Sequence, residues 1–180
     1  VWERAKAVNA LNAALEGNDP EITSRAVSDL WNEARTIGVA VPLARVFARQ
    51  LIDADLGRAP AVAFTILLLS DQYEQAALNE DFAATDPFLA AVARGDPSAA
   101  LTVRANDQLI QDAFAADPDA ALVAMARQGR TGEAILRALA TLQQGIDGDQ
   151  IAFKEGFATL RALGLEDVAR RVALQYLLLP

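Results

Sequence analysis

With no His and no Cys among its 180 residues, this chain is left with carboxylates for any acid–base chemistry. Two pairs are close in sequence, Asp53 with Asp55 and Glu80 with Asp81. Two carboxyls facing across a cleft can divide the acid and nucleophile roles of glycoside cleavage. Nothing in the spacing makes any two converge, and both pairs fall near expected helix ends, where acids are commonly solvated. The same absences exclude thiolate nucleophiles, imidazole bases and zinc held by nitrogen or sulfur. Asp147-Gly148-Asp149 opens like a calcium loop, which needs oxygen ligands at its first, third and fifth positions and Glu at its twelfth. The fifth position is Ile151 and the twelfth Ala158, so these acids read as caps for a helix beginning near Gln150. Gly129-Arg130-Thr131-Gly132-Glu133 lacks the Lys-Ser/Thr pair of a phosphate loop and follows a helix, not a strand. No catalytic residue, metal or cofactor is expected.

Binding is the remaining option. Arg127, Arg130 and Arg137 cluster around one expected helical hairpin. Arg can fork onto a partner's carboxylate with two parallel hydrogen bonds. The plainer reading is surface Arg near a helix end, with an ion pair from Glu133 to Arg137 at i,i+4. The chain carries 24 acids against 16 bases, a net charge of −8. That balance argues against nucleic acid and against anionic lipid as partners. The longest apolar run, Ala61 to Leu69, is far short of the roughly 20 residues that span a bilayer, so no transmembrane segment is expected. The terminal Tyr176-Leu177-Leu178-Leu179-Pro180 is greasy for a last helix. It is expected to pack back on the domain or to contact a further segment or subunit, which makes self-association through the C-terminal helix a candidate.

The elements that must position these residues read as helices throughout. Trp2 to Glu16 carries Ala5, Val8, Leu11 and Leu15 on one side, ending at Gly17-Asn18. Asp19-Pro20-Glu21 reads as N-cap, first-turn Pro and acid at the positive helix end. The helix it opens runs to about Ile37 with Ala26, Leu30, Ala34 and Ile37 on one face, and Gly38 stops it. Pro42 starts a third helix to about Asp55 with Leu43, Val46, Phe47 and Leu51. After the break at Gly57-Arg58-Ala59-Pro60 comes Ala61 to about Asn79, apolar all round in its first half, as in a buried helix. A strand over Val62 to Leu69 is the competing reading, but no second strand exists to pair with it. Asn79 to Thr85 reads as a connection. Asp86-Pro87 opens a short helix to Arg94, and Asp96-Pro97 a longer one to about Ala115. Asp117-Pro118 opens a hairpin in which Gly129 closes the first helix and Gly132 lies in the turn. Ile135, Leu136, Leu139 and Leu142 line its second helix. A loop at Gly145 to Asp149, a helix to Leu163, a stop at Gly164 and a helix from Glu166 to about Leu179 complete the chain.

Gly95, Gly129 and Gly164 recur at intervals of 34 and 35 residues, each after a segment containing Arg94, Arg127 or Arg161. Five residues beyond each Gly stands Ala100, Ala134 or Ala169. A Gly turn followed by a small residue suits two closely packed antiparallel helices. A period near 34 in helix pairs is an α-solenoid signature. The stretch Ala126-Arg-Gln-Gly129-Arg-Thr-Gly-Glu-Ala134-Ile resembles the turn of the tetratricopeptide repeat, and Asp117-Pro118 resembles its closing Pro. The resemblance covers residues 86–179, best over 117–144. It departs from the family in its short first helices and in Ala, Val or Met at the aromatic positions. It implies a right-handed superhelix of stacked hairpins acting as a protein-interaction scaffold. Arg161 to Gln175 also resembles the ends of Ala-rich bacterial helical proteins, which brings no activity with it. The use of 14 Arg against 2 Lys fits a GC-rich bacterial source.

The expectation is therefore one all-α domain over 1–180, with less regular helices over 1–85 and repeat-like hairpins over 86–180. The chain begins with Val and its one Met is Met125, so it is expected to be a fragment or processed product of a larger protein. The expected function is non-catalytic protein interaction, in the cytoplasm or periplasm, with a protein partner or other domains of its own chain. The alternative is a helical accessory domain of a larger enzyme, such as a periplasmic cell-wall lytic enzyme.

Overall fold

A computed structural model describes residues 2–17, 19–56 and 59–179, with side chains from Lys6 onward. The side chains of Trp2 and of Ala5 in the first stripe, and residues Asn18, Gly57, Arg58 and Pro180, lie outside what it describes. The described residues form twelve helices and no strand, so the Val62 to Leu69 run is not a strand: it is helical through Leu68, with Leu69 as the cap. They divide into two compact units, 1–90 and 91–180, the boundary falling inside the seventh helix.

The first unit holds α1 (Trp2–Gly17), α2 (Pro20–Thr36), α3 (Ala40–Leu51), α4 (Pro60–Leu68), α5 (Tyr73–Leu78) and α6 (Glu80–Thr85). Asp19 caps α2, accepting from the N–H groups of Glu21 and Ile22 at 3.0 and 3.2 Å. The buried face of α2 is Thr23, Val27, Leu30, Trp31 and Ala34, so Val27 takes the place expected of Ala26. Helix α4 is the centre of the unit, packing against α2, α3, α5 and α6. It buries Phe64, Ile66, Leu67 and Leu68 to within about 1% exposure, as its uniform apolarity requires. The stretch expected as one helix from Ala61 to Asn79 is broken. The Ser70 hydroxyl donates to the Leu67 carbonyl at 2.6 Å and accepts from Gln72 N–H at 3.0 Å. A Ser that bonds its own backbone in this way competes with the helix ladder. The supposed connection after Asn79 is α6, which Asn79 caps through Phe82 N–H. Helix α3 begins at Ala40, two residues before Pro42, and stops at Leu51 instead of Asp55; Val46 of its expected face is 70% exposed.

The seventh helix is α7 (Pro87–Arg94). The second unit then holds α8 (Ala105–Ala115), α9 (Ala120–Arg127), α10 (Thr131–Ile146), α11 (Gln150–Ala162) and α12 (Glu166–Leu178). The long helix expected from Asp96 is only α8; residues 96–104 are not helical. Asp119, not Asp117, caps α9, accepting from Ala121 and Leu122 N–H. Asp149 caps α11 through Ile151 and Ala152 N–H at 3.0 and 3.1 Å as expected, whereas Asp147, expected to share that role, ends α10 and accepts from Gln143.

Gly129 and Gly164 end α9 and α11 in one geometry. Their φ angles are 85° and 86°, a region open to Gly and closed to most other residues. In each, the Gly N–H reaches the carbonyl three residues back (Ala126, Arg161), and the next N–H reaches the one before that (Met125, Leu160). This double bond pattern is the Schellman turn. The next helix starts two residues later, and Ala134 and Ala169 are fully buried in the pairing. Gly95 has the same turn (φ 84°) but no helix follows it at once, and Ala100 is half-buried in a loop. Gly132 is in the first turn of α10, not in the link, and Gly145 is inside α10, not in a loop.

Helix α11 is the hub of this unit, packed on α8, α9, α10 and α12. Its closest approach is to α10. A Cβ on Gly145 would lie 2.3 Å from Phe153 Cα, and one on Gly156 would lie 2.6 Å from Leu142 N. Residue numbers rising on one helix as they fall on the other make the pair antiparallel. The buried face of α10 is Ala134, Ala138, Leu142 and Gly145, so it is narrow and small-sided. Leu136 and Leu139, expected on it, are 69% and 40% exposed.

Candidate interaction surface

The three Arg residues singled out from the sequence lie at the α9–α10 turn. Arg130 Nε is 3.5 Å from Glu133 Oε2 and Arg137 donates to Glu133 Oε1 at 2.8 Å, so both share one exposed carboxylate. Arg127 is exposed in the last turn of α9. The structure thus brings Arg130 and Arg137 together through Glu133. Arg137 adopts the i,i+4 pair expected of a solvated helix face, worth about 0.5 kcal/mol or less.

The carboxylates come out differently. Asp53, Asp55 and Asp81 line one cleft of about 500 Å³ with Leu56, Asn79 and Phe82, so members of the two sequence pairs do share a site. Among the described residues, however, no group of three or more His, Cys, Asp or Glu is set to hold a metal ion. In the calcium-like motif, Asp147 Oδ1 accepts from Gln143 Nε2 and Asp149 Oδ1 accepts from the first N–H groups of α11.

The most unusual surface is one that helical spacing conceals. Residues 98–104 form a loop held at both ends by side chains. At the first end, Asp96 accepts from the Ser98 hydroxyl and N–H, and these bonds hold its carboxyl below its ordinary pKa against a slight effect of burial. Gln111 Nε2 then donates to the carbonyls of Pro97, Ser98 and Ala100, at 2.8, 3.3 and 3.1 Å. At the other end stands Asp107, fully buried in the third position of α8. It accepts from Val103 N–H and Arg104 N–H at 2.9 Å and from Arg104 Nε at 2.8 Å. Burial pushes its pKa up, but the Arg104 and Val103 N–H groups, with the Arg104 guanidinium, more than offset this and hold it below the usual range. Between these clamps Leu101 and Val103 stand 80% and 81% exposed. The loop therefore exposes two apolar side chains two residues apart.

Beside it runs an apolar groove of about 540 Å³, lined by Asn106 of α8, Ile146 of α10, and Val172, Gln175, Tyr176 and Leu179 at α12. The greasy C-terminus does pack back in part, with the Tyr176 ring 4.8 Å from that of Phe153. A further cleft of about 340 Å³ lies by Arg161, whose Nε donates to Glu166 Oε2 and whose Nη1 donates to the Phe114 carbonyl, both at 2.7 Å. Its guanidinium also lies 4.6 Å from the centre of the Phe114 ring. Arg161 is thus a clasp joining α8, α11 and α12. Sequence reasoning missed the loop because Asp96-Pro97 imitates a helix start; the β-branched Thr102-Val103 pair and Asp107 three residues past Arg104 were the available signals.

The fold defines an all-helical protein, and no described helix is long and apolar enough to cross a membrane. No protein-family model, curated protein or solved structure matches the chain.

Proposed function

We propose that this chain is a non-catalytic protein-interaction domain built from tetratricopeptide-like stacked hairpins. The observation that carries the reading is the clamped loop: two polar side chains hold Leu101 and Val103 out in water. Exposing clustered apolar side chains is unfavourable for a monomer and marks interaction surfaces. Fixing the loop before binding also reduces the ordering cost of association. Arg127, Arg130 and Arg137 stand apart from this loop at the α9–α10 turn, the opposite end of α10 from Ile146, as a second polar contact whose exposed charges would act mainly on association rate.

The test is capture from a source-cell lysate on immobilised chain. Wild type is compared with the pair Leu101→Ser, Val103→Ser and with the triple change Arg127→Ala, Arg130→Ala, Arg137→Ala. The expected result is loss of the captured protein with the loop variant at unchanged melting temperature, and a smaller loss with the Arg variant. Capture indifferent to the loop would overturn the reading.

A further inference from the structure

We infer that the Leu101–Thr102 peptide bond is a cleavage site for an endopeptidase with an apolar primary pocket, and that the cut chain stays assembled. This goes beyond the interaction reading and does not depend on it. A peptidase acting on a folded chain needs a side chain that can enter its pocket and backbone groups free to pair with its cleft. The exposed leucines among the described residues are Leu78, Leu101, Leu136 and Leu139. Leu136 and Leu139 lie inside α10, where the helix ladder holds the backbone, and the N–H that follows Leu78 donates to the Ala76 carbonyl. Leu101 is in the loop. Among the described residues, neither its N–H and carbonyl nor those of Thr102 take part in a hydrogen bond. The link 95–104 is also the longest between helices of this unit, the others being 116–119, 128–130, 147–149 and 163–165. Exposed loops of this kind are where folded chains are nicked.

The clamps set which bond is open. Arg104 would suit a peptidase with an acidic pocket, but its Nε donates to Asp107 Oδ1 at 2.8 Å and its carbonyl accepts from Asp107 N–H at 3.1 Å. Hydrolysis after Leu101 adds water across the amide. The water oxygen goes to the Leu101 carbonyl carbon, the C–N bond breaks, and the nitrogen leaves protonated as the Thr102 α-amino group. Both new ends stay tied. Upstream, Gln111 keeps the carbonyls of Pro97, Ser98 and Ala100, and Arg170 Nη1 keeps that of Ala93 at 2.9 Å; both side chains belong to the downstream piece. Downstream, Val103 and Arg104 N–H stay on Asp107.

The test digests the folded 180-residue chain with chymotrypsin, whose pocket is apolar, and reads the cut bonds by mass spectrometry. The expected first products are 1–101 and 102–180, eluting together with the volume of the intact chain in native gel filtration and separately in denaturant. Trypsin is expected to spare the Arg104–Ala105 bond while the chain is folded. Leu101→Lys alters an exposed side chain and should leave the melting temperature unchanged. It should slow chymotrypsin at this bond about tenfold or more and open the same bond to trypsin. Cutting at Leu136 or Leu139 as fast as at Leu101 would show the peptidase meeting unfolded chains, and would overturn the site. A variant that trypsin leaves whole at this bond would overturn it too. Fragments that part under native conditions would overturn the retained assembly.

Discussion

The two units solve the problem of burying a helix in opposite ways. In 1–90, the central α4 is filled by bulk: Phe64, Ile66, Leu67 and Leu68 are buried, and the Phe64 ring stacks on Phe82 with centres 6.1 Å apart. In 91–180, the central α11 is brought close by absence of bulk, with Gly145 against Phe153 and Gly156 against Leu142. Ala134, Ala138, Ala169 and Ala173 continue that small-sided packing at essentially zero exposure. One unit draws its cohesion from removing large side chains from water, about 25 cal/mol per Å². The other draws more of it from close backbone approach, in which many weak dispersion contacts add up. The first should therefore be sensitive to deletion and the second to addition.

The largest effect should come from deletion in the first unit. Phe64→Ala is expected to cost about 3–5 kcal/mol, read by denaturant unfolding. A cost near that of an exposed site would show that α4 is not the centre of its core. Next comes addition in the second unit. Gly145→Ala would gain about 1 kcal/mol in helix propensity if α10 stood alone. A Cβ 2.3 Å from Phe153 Cα should reverse that sign, for a net loss of about 3 kcal/mol. A stabilised variant would break the contrast between the two units. The smallest effect separates the loop from both cores. Asp107→Asn removes charge-assisted bonds and should cost about 2 kcal/mol at neutral pH. Because the folded state holds the Asp107 pKa down, its contribution is full above the unfolded carboxylate pKa and is lost as pH falls through the folded one. The variant's stability should accordingly lose part of its acid dependence below about pH 4. An unchanged acid limb would show that Asp107 is not the clamp.

Helix ends marked by Gly or by an acid-capped start were legible: Asp19, Asp149, Gly129 and Gly164 all act as their types suggest. Such signals are local, needing only a turn's own backbone and one side chain. What could not be read depends on distant partners. Asp96-Pro97 has the residues of a helix start, but Gln111, some fourteen positions on, claims the carbonyls that a helix would use. On α10 the greasy positions Leu136 and Leu139 won the sequence reading, while the buried face went to Ala134, Ala138 and Gly145. Periodicity of large side chains points to the core only when bulk is what fills it. The Arg trio was legible as a cluster, and its sharing of Glu133 follows from helical spacing alone.

The crossing of α10 and α11 also bears on the order of events during folding. Gly145 and Phe153 are neighbours along the chain, so their contact closes a short loop at little entropic cost and forms quickly. The bond from Asp119 N–H to Thr159 spans 40 residues, and that from Arg170 to the Ala93 carbonyl spans 77. The α10–α11 hairpin is thus placed to nucleate its unit, with Arg170 among the last groups to lock. Pulse-labelled amide exchange that protected α12 before α10 would contradict that sequence. A nucleus made by glycine contact has a particular consequence: an added methyl there would slow assembly as well as weaken its product.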